Sequence, residues 1–494
     1  MGFPMRDNHG RETLISLAVL GIWGALVSIQ LGWLPWARHA WGYNLWQYFP
    51  TWTRVLLATA TLALCSERVR ETLWALATNL CRRSASLRVP GTTWPAWLLL
   101  WAVLSFLLWT VREQRFLGDS RILVWHASNT QFLFPDVGAT FLIGSVVRAA
   151  RGLALLHEGV VAALQGVVSA SGALMILCTW RAGRYLGNGH GLGIALLILS
   201  GGFLRILAGH LEVYAFVLAA AAAFLWSSLA FQSGRGHWAT PCLALGFAVW
   251  LHPSALALVP SLVFLLHSAE GSRPLKRVVL GLVVASLPWL LFVPVLLSAS
   301  HHDELEQSRE VFLQVLGLSD DPKTVHRWVR GWGGGPGVGT DYVFLSLPHL
   351  KYLVNAFHLL CAWAAPALLL LVSRPTRFLS TPTARFLTAA SLPLVAYALV
   401  LRPVWGPFDW DLFSLTALFV ASLSAHLLAS ALPETTFQHT IVWLVGFNLL
   451  FVGLPLVAAG FAPIHAAGPF ATETFDPGMT DPNSAALAEI APWL

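Results

Sequence analysis

The chain has 494 residues, of which 56% are hydrophobic and only 11% are charged. Soluble proteins carry about 25% charged residues, so this composition excludes an ordinary water-soluble fold and predicts an integral membrane protein. The net charge of +6 indicates basic cytoplasmic loops, and we expect no nucleic-acid partner. The 24 tryptophans are typical of a protein with two wide membrane interfaces.

Apolar stretches long enough to cross a bilayer recur along the chain and predict an all-α fold with about 11–13 transmembrane helices. The first, from Leu14 to Leu34, follows two arginines and lacks a small-residue cleavage site, which indicates a retained helix rather than a signal peptide. The candidate spans lie near residues 13–35, 47–66, 93–111, 158–180, 190–208, 212–231, 238–252, 253–269, 278–298, 351–373, 385–401, 412–431 and 440–462.

The loops between these spans divide by charge. With the N-terminus in the cytoplasm, every cytoplasmic loop except the last is basic, as the positive-inside rule requires. Most carboxylates then fall outside, so we expect the active face there. The chain divides into an N-terminal helix pair with a basic cytoplasmic loop (1–92), a transmembrane core (93–463) and a short outer tail (464–494).

Two of the outer loops, residues 112–157 and 299–350, are long, and long loops in compact proteins are usually functional or disordered. In the first loop, the apolar segment 137–156 contains two arginines, a pattern that favours a helix lying in the membrane interface. The second loop contains a glycine-rich stretch at 331–339. It lacks the Gly-Lys-Ser/Thr ending and the preceding strand of a phosphate-binding loop, which excludes that function.

Asp119 is the first candidate for chemistry. It ends the segment Phe116-Leu117-Gly118-Asp119, immediately outside the predicted span at 93–111. A carboxylate at this height could accept a proton from a substrate hydroxyl. From position alone, capping of a helix N-terminus is the plainer explanation, and both interpretations stay open.

The segment Gly-His-Leu-Glu-Val-Tyr at 209–214 lies where an apolar span meets the predicted outer face. His210 and Tyr214 are four residues apart, so we expect them on one helix face. Arg205 lies near the membrane boundary, where an ionisable group needs a partner: a lipid phosphate or a structural bridge to another helix. Glu212 shares the stripe of Arg205 but lies about 10 Å further along the axis, too far for a direct pair.

Asp409 and Asp411 flank Trp410 just before the span at 412–431. Two carboxylates beside aromatic rings could grip a sugar or a cation. Capping of the following helix, with tryptophan anchoring at the interface, is the structural alternative.

His252 precedes a proline at a break between two apolar segments, which form either one broken helix or a tight hairpin. Broken helices at membrane depth often line a site, although a hydrogen-bonded structural histidine is the alternative. The run His301-His302-Asp303-Glu304 is a weak metal signal and reads as a solvated charge run. The five cysteines form no CxxC pair or metal-ligand spacing, so we interpret them as core residues.

These motifs together resemble the GT-C superfamily of membrane glycosyltransferases, specifically the bacterial relatives of the protein mannosyltransferases. In that superfamily a span leads into a long first outer loop with an early acidic residue, followed by interfacial helices. The segments 209–214 and 409–413 also resemble stretches of this group, and the likeness covers about residues 93–462. The first-loop match consists of Leu117-Gly118-Asp119, Phe134-Pro135-Asp136 and the apolar stretch to Leu156.

The resemblance implies a GT-C-like fold and a sugar carried on a polyprenyl phosphate, transferred with inversion on the outer face of a bacterial inner membrane. Asp119 would be the general base, and Arg205, Arg402 and Arg121 would hold the lipid phosphate. The acceptor would be a glycan, a lipid or a protein, and a divalent metal cofactor stays open. The residues that we expect to bind substrate are Asp136, Arg121, Arg205, His210, Glu212, Tyr214, His252, Arg402, Asp409 and Asp411.

The chain departs from the family pattern in three ways. Two spans precede the one that leads to Asp119, whereas the family usually reaches its acid after the first. Ser120 follows Asp119 where the family often has a second acid, so Asp136 would have to serve. We also expect no C-terminal soluble domain, which larger members commonly have.

A transporter or flippase of envelope lipids or solutes is the main alternative function. Transporters commonly show paired repeats with helices broken at the midplane, whereas this sequence shows one candidate break and no pairing. A non-catalytic scaffold for envelope assembly would explain the spans but not the two long outer loops. Cations at the membrane boundary for a leaving phosphate, with a base on the water side, favour a transferase.

Overall fold

The computed structural model describes residues 21–33, 43, 45–86, 94–112, 137–155, 157–187, 191–268, 274–298, 345–373, 375–401 and 406–459. Within these residues the chain is helical and has no β-strand, which confirms the all-α class.

The helices fall into three consecutive groups. The first comprises α1 (Gly21–Gln30), a 3-10 helix (Leu45–Tyr48), α2 (Thr51–Ala63), α3 (Glu67–Ser86), α4 (Trp94–Thr110) and α5 (Val137–Gly152). The second comprises α6 (His157–Leu186), α7 (Gly191–Leu199), α8 (Phe203–Leu207), α9 (Tyr214–Gln232), α10 (Ala239–Leu251), a 3-10 helix (Pro253–Leu258), α11 (Val259–Ser268) and α12 (Pro274–Ser298). The third comprises α13 (Leu347–Cys361), α14 (Ala364–Ser373), α15 (Pro375–Phe378), α16 (Pro382–Val400), a 3-10 helix (Gly406–Phe413), α17 (Ser414–Ala431), α18 (Glu434–Asn448), a π-helical turn (Leu449–Gly453) and α19 (Leu454–Ala459).

Several of these helices indicate a membrane protein. Five in the described part of the chain are long and apolar enough to cross a bilayer: Gly159–Leu186, Tyr214–Gln232, Pro382–Val400, Trp410–Ala431 and Glu434–Ala458. A sixth span results if α13 and α14, which bend by 101°, are counted as one. Shorter apolar helices also occur, so the count of 11–13 spans stays a prediction.

The centre of the molecule is built where α9 packs against α6, α16 and α17. Phe224 of α9 lies between Phe386 of α16 and Phe419 of α17, with ring centroids 6.0 and 6.3 Å apart. All three rings are fully buried. Such aromatic clusters bury large apolar areas and fix the relative positions of the helices that carry them.

Two tryptophans attach α4 to α6. The indole N–H of Trp101 donates to the carbonyl of Ala170 at 2.8 Å, and that of Trp109 donates to Ala162 at 3.2 Å. An indole N–H buried between helices needs such an acceptor. The two contacts position the end of α4, which precedes the segment that contains Asp119.

The single helix predicted at 190–208 is wrong, because the chain breaks between α7 and α8. A Cβ atom at Gly202 would lie 2.6 Å from the Trp410 ring and 3.0 Å from the Leu359 carbonyl oxygen, so only glycine permits this approach. The Gly202 N–H donates to that same carbonyl at 2.7 Å. A bond to another helix therefore replaces one within the helix.

The break predicted at His252 is confirmed. His252 is extended, with φ −158° and ψ 131°, and separates α10 from the 3-10 helix that begins at Pro253. The residue before a proline is driven out of the helical region by the proline ring, which explains the interruption.

The segment predicted to lie in the interface forms α5, a helix of 16 residues that packs against α6 and α10. Gly138 lies so close to the backbone and ring of Trp250 that a Cβ atom there would overlap them. This helix is not among those of the described chain that are long and apolar enough to cross a bilayer. Its location in the membrane interface stays a prediction.

Candidate functional site

A tight turn between α8 and α9 presents His210 and Glu212. It begins at Gly209, whose φ of +70° is a left-handed conformation that glycine adopts without strain. A Cβ atom at this position would also lie 2.7 Å from Cβ of Arg112. The Glu212 N–H donates to the His210 carbonyl at 2.8 Å, which holds the turn closed.

This turn corrects two predictions. His210 and Tyr214 do not share a helix face, because the chain leaves the helix at Ala208 and α9 begins only at Tyr214. For the same reason, Arg205 and Glu212 do not lie on one continuous helical stripe. Both predictions assumed one continuous helix through Gly209. The sequence does not show that Gly209 adopts a positive φ, which ends the helix there.

Asp411 reaches the same place from a distant part of the sequence. It lies in the 3-10 helix Gly406–Phe413 that leads into α17. The neighbouring Trp410 is buried and packs its ring against Gly202, in the break between α7 and α8. The break in one helix therefore receives the segment that carries the carboxylate.

His210, Glu212 and Asp411 form a buried cluster, called the polar cluster below. Their ligand atoms all lie within 4.8 Å of one another. Nε2 of His210 and Oδ2 of Asp411 are 3.4 Å apart, and both side chains are 4% exposed. Although the distance is short, Oδ2 of Asp411 receives no hydrogen bond from the described residues.

Such a cluster is costly to maintain. Burial of ionisable groups among apolar helices is unfavourable unless they are paired or bind a charged ligand, and at membrane depth such groups usually mark a functional site. Two carboxylates and an imidazole offer three kinds of chemistry: acceptance of hydrogen bonds from sugar hydroxyls, proton transfer and cation binding.

A small apolar groove adjoins the polar cluster at Glu212. It runs between α5 and α6, and among the described residues that line it Glu212 is the single ionisable one. The remaining lining residues are aliphatic or aromatic: Ile143, Val146, Leu164, Val167, Val168, Leu211 and Phe216. The groove and the polar cluster therefore place an apolar surface directly beside a carboxylate.

Arg205, one of the residues expected to hold a lipid phosphate, is buried, and its guanidinium donates to the Leu456 carbonyl at 2.9 Å. This contact ties α8 to α19. It is the structural bridge that the sequence left open as the alternative, and a phosphate contact of Arg205 stays a prediction.

Arg112 is a cation beside the cluster that the sequence analysis missed. Its backbone and Cβ lie against Gly209, its guanidinium lies 4.1 Å from the centroid of the Trp109 ring, and it donates to Oε1 of Gln165 at 3.1 Å. The available signal was its position, since it directly follows a predicted span and begins a loop predicted to lie outside.

Two further candidates, Tyr214 and His252, lie together on the other side of the turn, with ring centroids 5.7 Å apart. Nδ1 of His252 accepts a hydrogen bond from the Ser254 N–H at 3.0 Å, so this histidine caps the 3-10 helix that follows it. The structure thus gives His252 the structural role that the sequence left open, and substrate contact by either residue stays a prediction.

The other predicted residues cannot be placed relative to this cluster. Asp119, Arg121, Asp136 and Arg402 lie outside the described residues, as does the 301–304 run. Asp409 lies in the same 3-10 helix as Asp411, but its side chain is not among those described. The functions expected of these residues therefore stay predictions.

Comparison with protein-family models, with curated proteins and with solved structures found no match for this chain. The GT-C resemblance rests on the motifs quoted above. Two of those motifs, 209–214 and 409–413, contribute the three side chains of the polar cluster.

Proposed function

We propose that the chain is an inverting glycosyltransferase that uses a polyprenyl-phosphate-linked sugar at the outer face of a bacterial inner membrane. The acceptor oxygen forms a bond to the anomeric carbon while the bond from that carbon to the phosphate oxygen breaks. Asp119 takes the proton of the acceptor hydroxyl, and polyprenyl phosphate leaves with the bonding electron pair. Attack from the side opposite the phosphate inverts the anomeric carbon.

The observation that carries this proposal is the junction between the apolar groove and the polar cluster at Glu212. A polyprenyl-phosphate sugar is apolar at one end and rich in hydroxyls and phosphate oxygens at the other. The apolar lining of the groove suits contact with the first isoprene units of the lipid. The carboxylates of Glu212 and Asp411 suit the sugar hydroxyls, because ionised carboxylates are strong hydrogen-bond acceptors.

The short distance along the chain from Arg112 also keeps the proposed base within reach of this junction. Arg112 lies against Gly209, and Asp119 follows seven residues later in the sequence. A segment of that length spans at most about 25 Å, so Asp119 stays within reach of an acceptor bound beside the cluster. Arg112 adds a cation on the same side, where the negative charge of the leaving phosphate needs stabilisation.

The test is transfer by membranes that contain the chain, supplied with radiolabelled polyprenyl-phosphate hexoses and pentoses. We expect Asp119→Asn to lower the transfer rate about 10²–10⁴-fold, the usual cost of losing a general base. A helix-capping role predicts a small effect instead, since Asn caps helices about as well as Asp. Protein levels measured in the same membranes separate loss of activity from loss of folding.

Asp136→Asn and Asp409→Asn are the matched comparisons. If Asp119→Asn keeps near-normal transfer while one of these two abolishes it, the base has been assigned to the wrong carboxylate. If none of the three changes matters and no lipid-linked sugar is consumed, the transferase function itself is wrong.

Transport is the second candidate, and the broken helices favour it. The interruption at 200–202 lies beside the polar cluster, and α13 and α14 meet at a 101° bend. Broken helices that line a central site are a common feature of transporters. Purified chain in liposomes separates the two functions: a transporter moves lipid or solute without consuming the sugar–phosphate bond, whereas the proposed transferase releases polyprenyl phosphate.

A further inference from the structure

We propose that His210, Glu212 and Asp411 bind one divalent transition-metal ion. They offer one imidazole nitrogen and two carboxylate oxygens, a mixed set that suits Zn²⁺ or Mn²⁺. Mg²⁺ instead prefers oxygen ligands and retains several waters. Three protein ligands leave a coordination position open, which is typical of a metal that meets a substrate.

The distances fit such an ion. Zinc bonds of about 2.0–2.2 Å in tetrahedral geometry place neighbouring ligand atoms about 3.3–3.6 Å apart. Nε2 of His210 and Oδ2 of Asp411 are already 3.4 Å apart. All ligand atoms lie within 4.8 Å, so the most distant of them must close by about 1 Å to reach bonding distance.

The second observation that supports a metal site is the hydrogen bonding of the Asp411 carboxylate. Its Oδ2 atom is buried and receives no hydrogen bond from the described residues. A carboxylate oxygen hidden from water without a donor is unfavourable, because its desolvation is not compensated. An ion placed between this oxygen and the imidazole would supply the missing interaction.

The alternative is a plain ion pair between protonated His210 and Asp411. A charge-assisted hydrogen bond of that kind is typically about 2.7–2.9 Å long. The observed separation is 3.4 Å, and the two atoms form no hydrogen bond. The two atoms face each other at the separation expected of two ligands of a shared ion.

The backbone holds the three ligands in place before any ion binds. Gly209 fixes the turn that carries two of them, and the packing of Trp410 on Gly202 fixes the segment that carries the third. Ligands whose supporting residues are packed in this way lose little freedom on binding. The site itself does not rest on the proposed function; only the expectation that the ion neutralises the leaving phosphate does.

The experiment measures metal uptake by the purified full-length chain, with a purification tag that contains no histidine. His301→Ser and His302→Ser form the background, which removes the other histidine-rich segment. After dialysis against a chelator, the protein receives Zn²⁺ or Mn²⁺, and bound metal is counted by mass spectrometry. We expect about one ion per chain, with Mg²⁺ failing to displace it.

His210→Gln, Glu212→Gln and Asp411→Asn should each lower the affinity by more than the roughly 10–100-fold typical of losing a second-shell partner. His426→Gln is the matched control. His426 is also partly buried and hydrogen-bonds to Leu186, but it lies about 18 Å along α17 from the start of that helix. It should keep the full metal content.

Thermal unfolding of the parent and the variants, with and without metal, separates loss of the metal site from misfolding. Without metal, Asp411→Asn should unfold at the same temperature as the parent or higher, because it removes a buried charge that no ion balances. With Zn²⁺ the order should reverse, since only the parent gains stability from binding. A plain ion pair predicts that Asp411→Asn is less stable under both conditions.

No uptake of Zn²⁺ or Mn²⁺ by the parent overturns this site, as does uptake that the three substitutions leave unchanged. Failure of the stability order to reverse overturns it as well. None of these measurements uses a sugar donor. Loss of the metal site would therefore leave the transferase proposal standing, and the absence of transfer would leave a bound metal standing.

Discussion

Two turns in this molecule each interrupt an apolar helical region and each contain a buried histidine. The turn at 209–213 carries His210, and the break after α10 carries His252; the two residues are 3% and 6% exposed. His252 accepts a backbone N–H and packs on the ring of Tyr214. His210 instead faces the carboxylate of Asp411 and lies within 4.8 Å of that of Glu212.

Burial therefore does not distinguish a structural histidine from a ligand. The partner does: a backbone N–H accepted at 3.0 Å completes the bonding of a helix end, whereas two carboxylates add charge that the site must balance. The two turns also differ in what interrupts the helix. Proline ends the helix at the His252 break by its own ring, while Gly209 allows a turn that packing against Arg112 completes.

The largest effect should come from Gly209→Ala. Alanine in a left-handed conformation costs about 1–2 kcal/mol, and its Cβ atom would lie 2.7 Å from that of Arg112. Overpacking of that kind typically costs another 1–3 kcal/mol, so we expect about 2–5 kcal/mol in all. Chemical unfolding in detergent, followed by tryptophan fluorescence, measures the loss.

Gly234→Ala is the matched control for that loss. Gly234 has nearly the same φ, +72°, but nothing lies within 4 Å of the position that a Cβ atom would take. It should cost only the conformational part, about 1–2 kcal/mol. Equal losses at the two glycines would mean that the contact with Arg112 does not hold the turn.

The difference between the two turns also sets the limit of what the sequence predicts. The His252 break is local, because a proline next to it disfavours the helix in any context. The breaks at 200–202 and at Gly209 depend on more than the local sequence: Gly201-Gly202 and the lone Gly209 permit a break, but glycine is also frequent inside membrane helices. They become breaks only through residues distant in sequence, because the Leu359 carbonyl accepts the Gly202 N–H and Arg112 packs on Gly209.

The same limit applies to the candidate site. Its residue types were predictable, because buried carboxylates and histidines beside apolar spans are unusual. The contact between these residues was not predictable. About 200 residues separate Glu212 from Asp411, and helical periodicity carries no information about such a contact. Arg112 was missed for the same reason: its place beside the cluster depends on the packing of α4 against α6.

A smaller effect should follow from Arg205→Gln, which tests what fixes the α8 end of the turn. The guanidinium of Arg205 donates to the Leu456 carbonyl, and a buried hydrogen bond from a charged group contributes about 1.5–3 kcal/mol. We expect a loss of that size in the same unfolding measurement. Arg385→Gln, at an exposed position of α16, should change stability by less than about 0.5 kcal/mol.

A stability loss at Arg205 no greater than at Arg385 would contradict the structural bridge. If transfer is then also impaired, the phosphate contact expected from the sequence becomes the better explanation. A loss of stability with normal affinity for the lipid-linked donor would assign Arg205 to the scaffold of the turn alone.

The smallest effect on stability should come from His252→Asn, and its comparison with His210→Asn separates the two histidines most directly. At the His252 break, the side chain serves as an N-cap, and Asn is among the best N-cap residues, so His252→Asn should cost less than about 0.5 kcal/mol. His252→Leu removes the acceptor and should cost about 1 kcal/mol, within the range for loss of a cap. At the other turn, His210→Asn removes the imidazole that the proposed metal needs, so bound Zn²⁺ should fall although the protein stays folded.

If His252→Asn is as damaging as His252→Leu, capping does not explain that histidine. If His210→Asn keeps its metal, the two histidines do not differ in the way that their partners indicate.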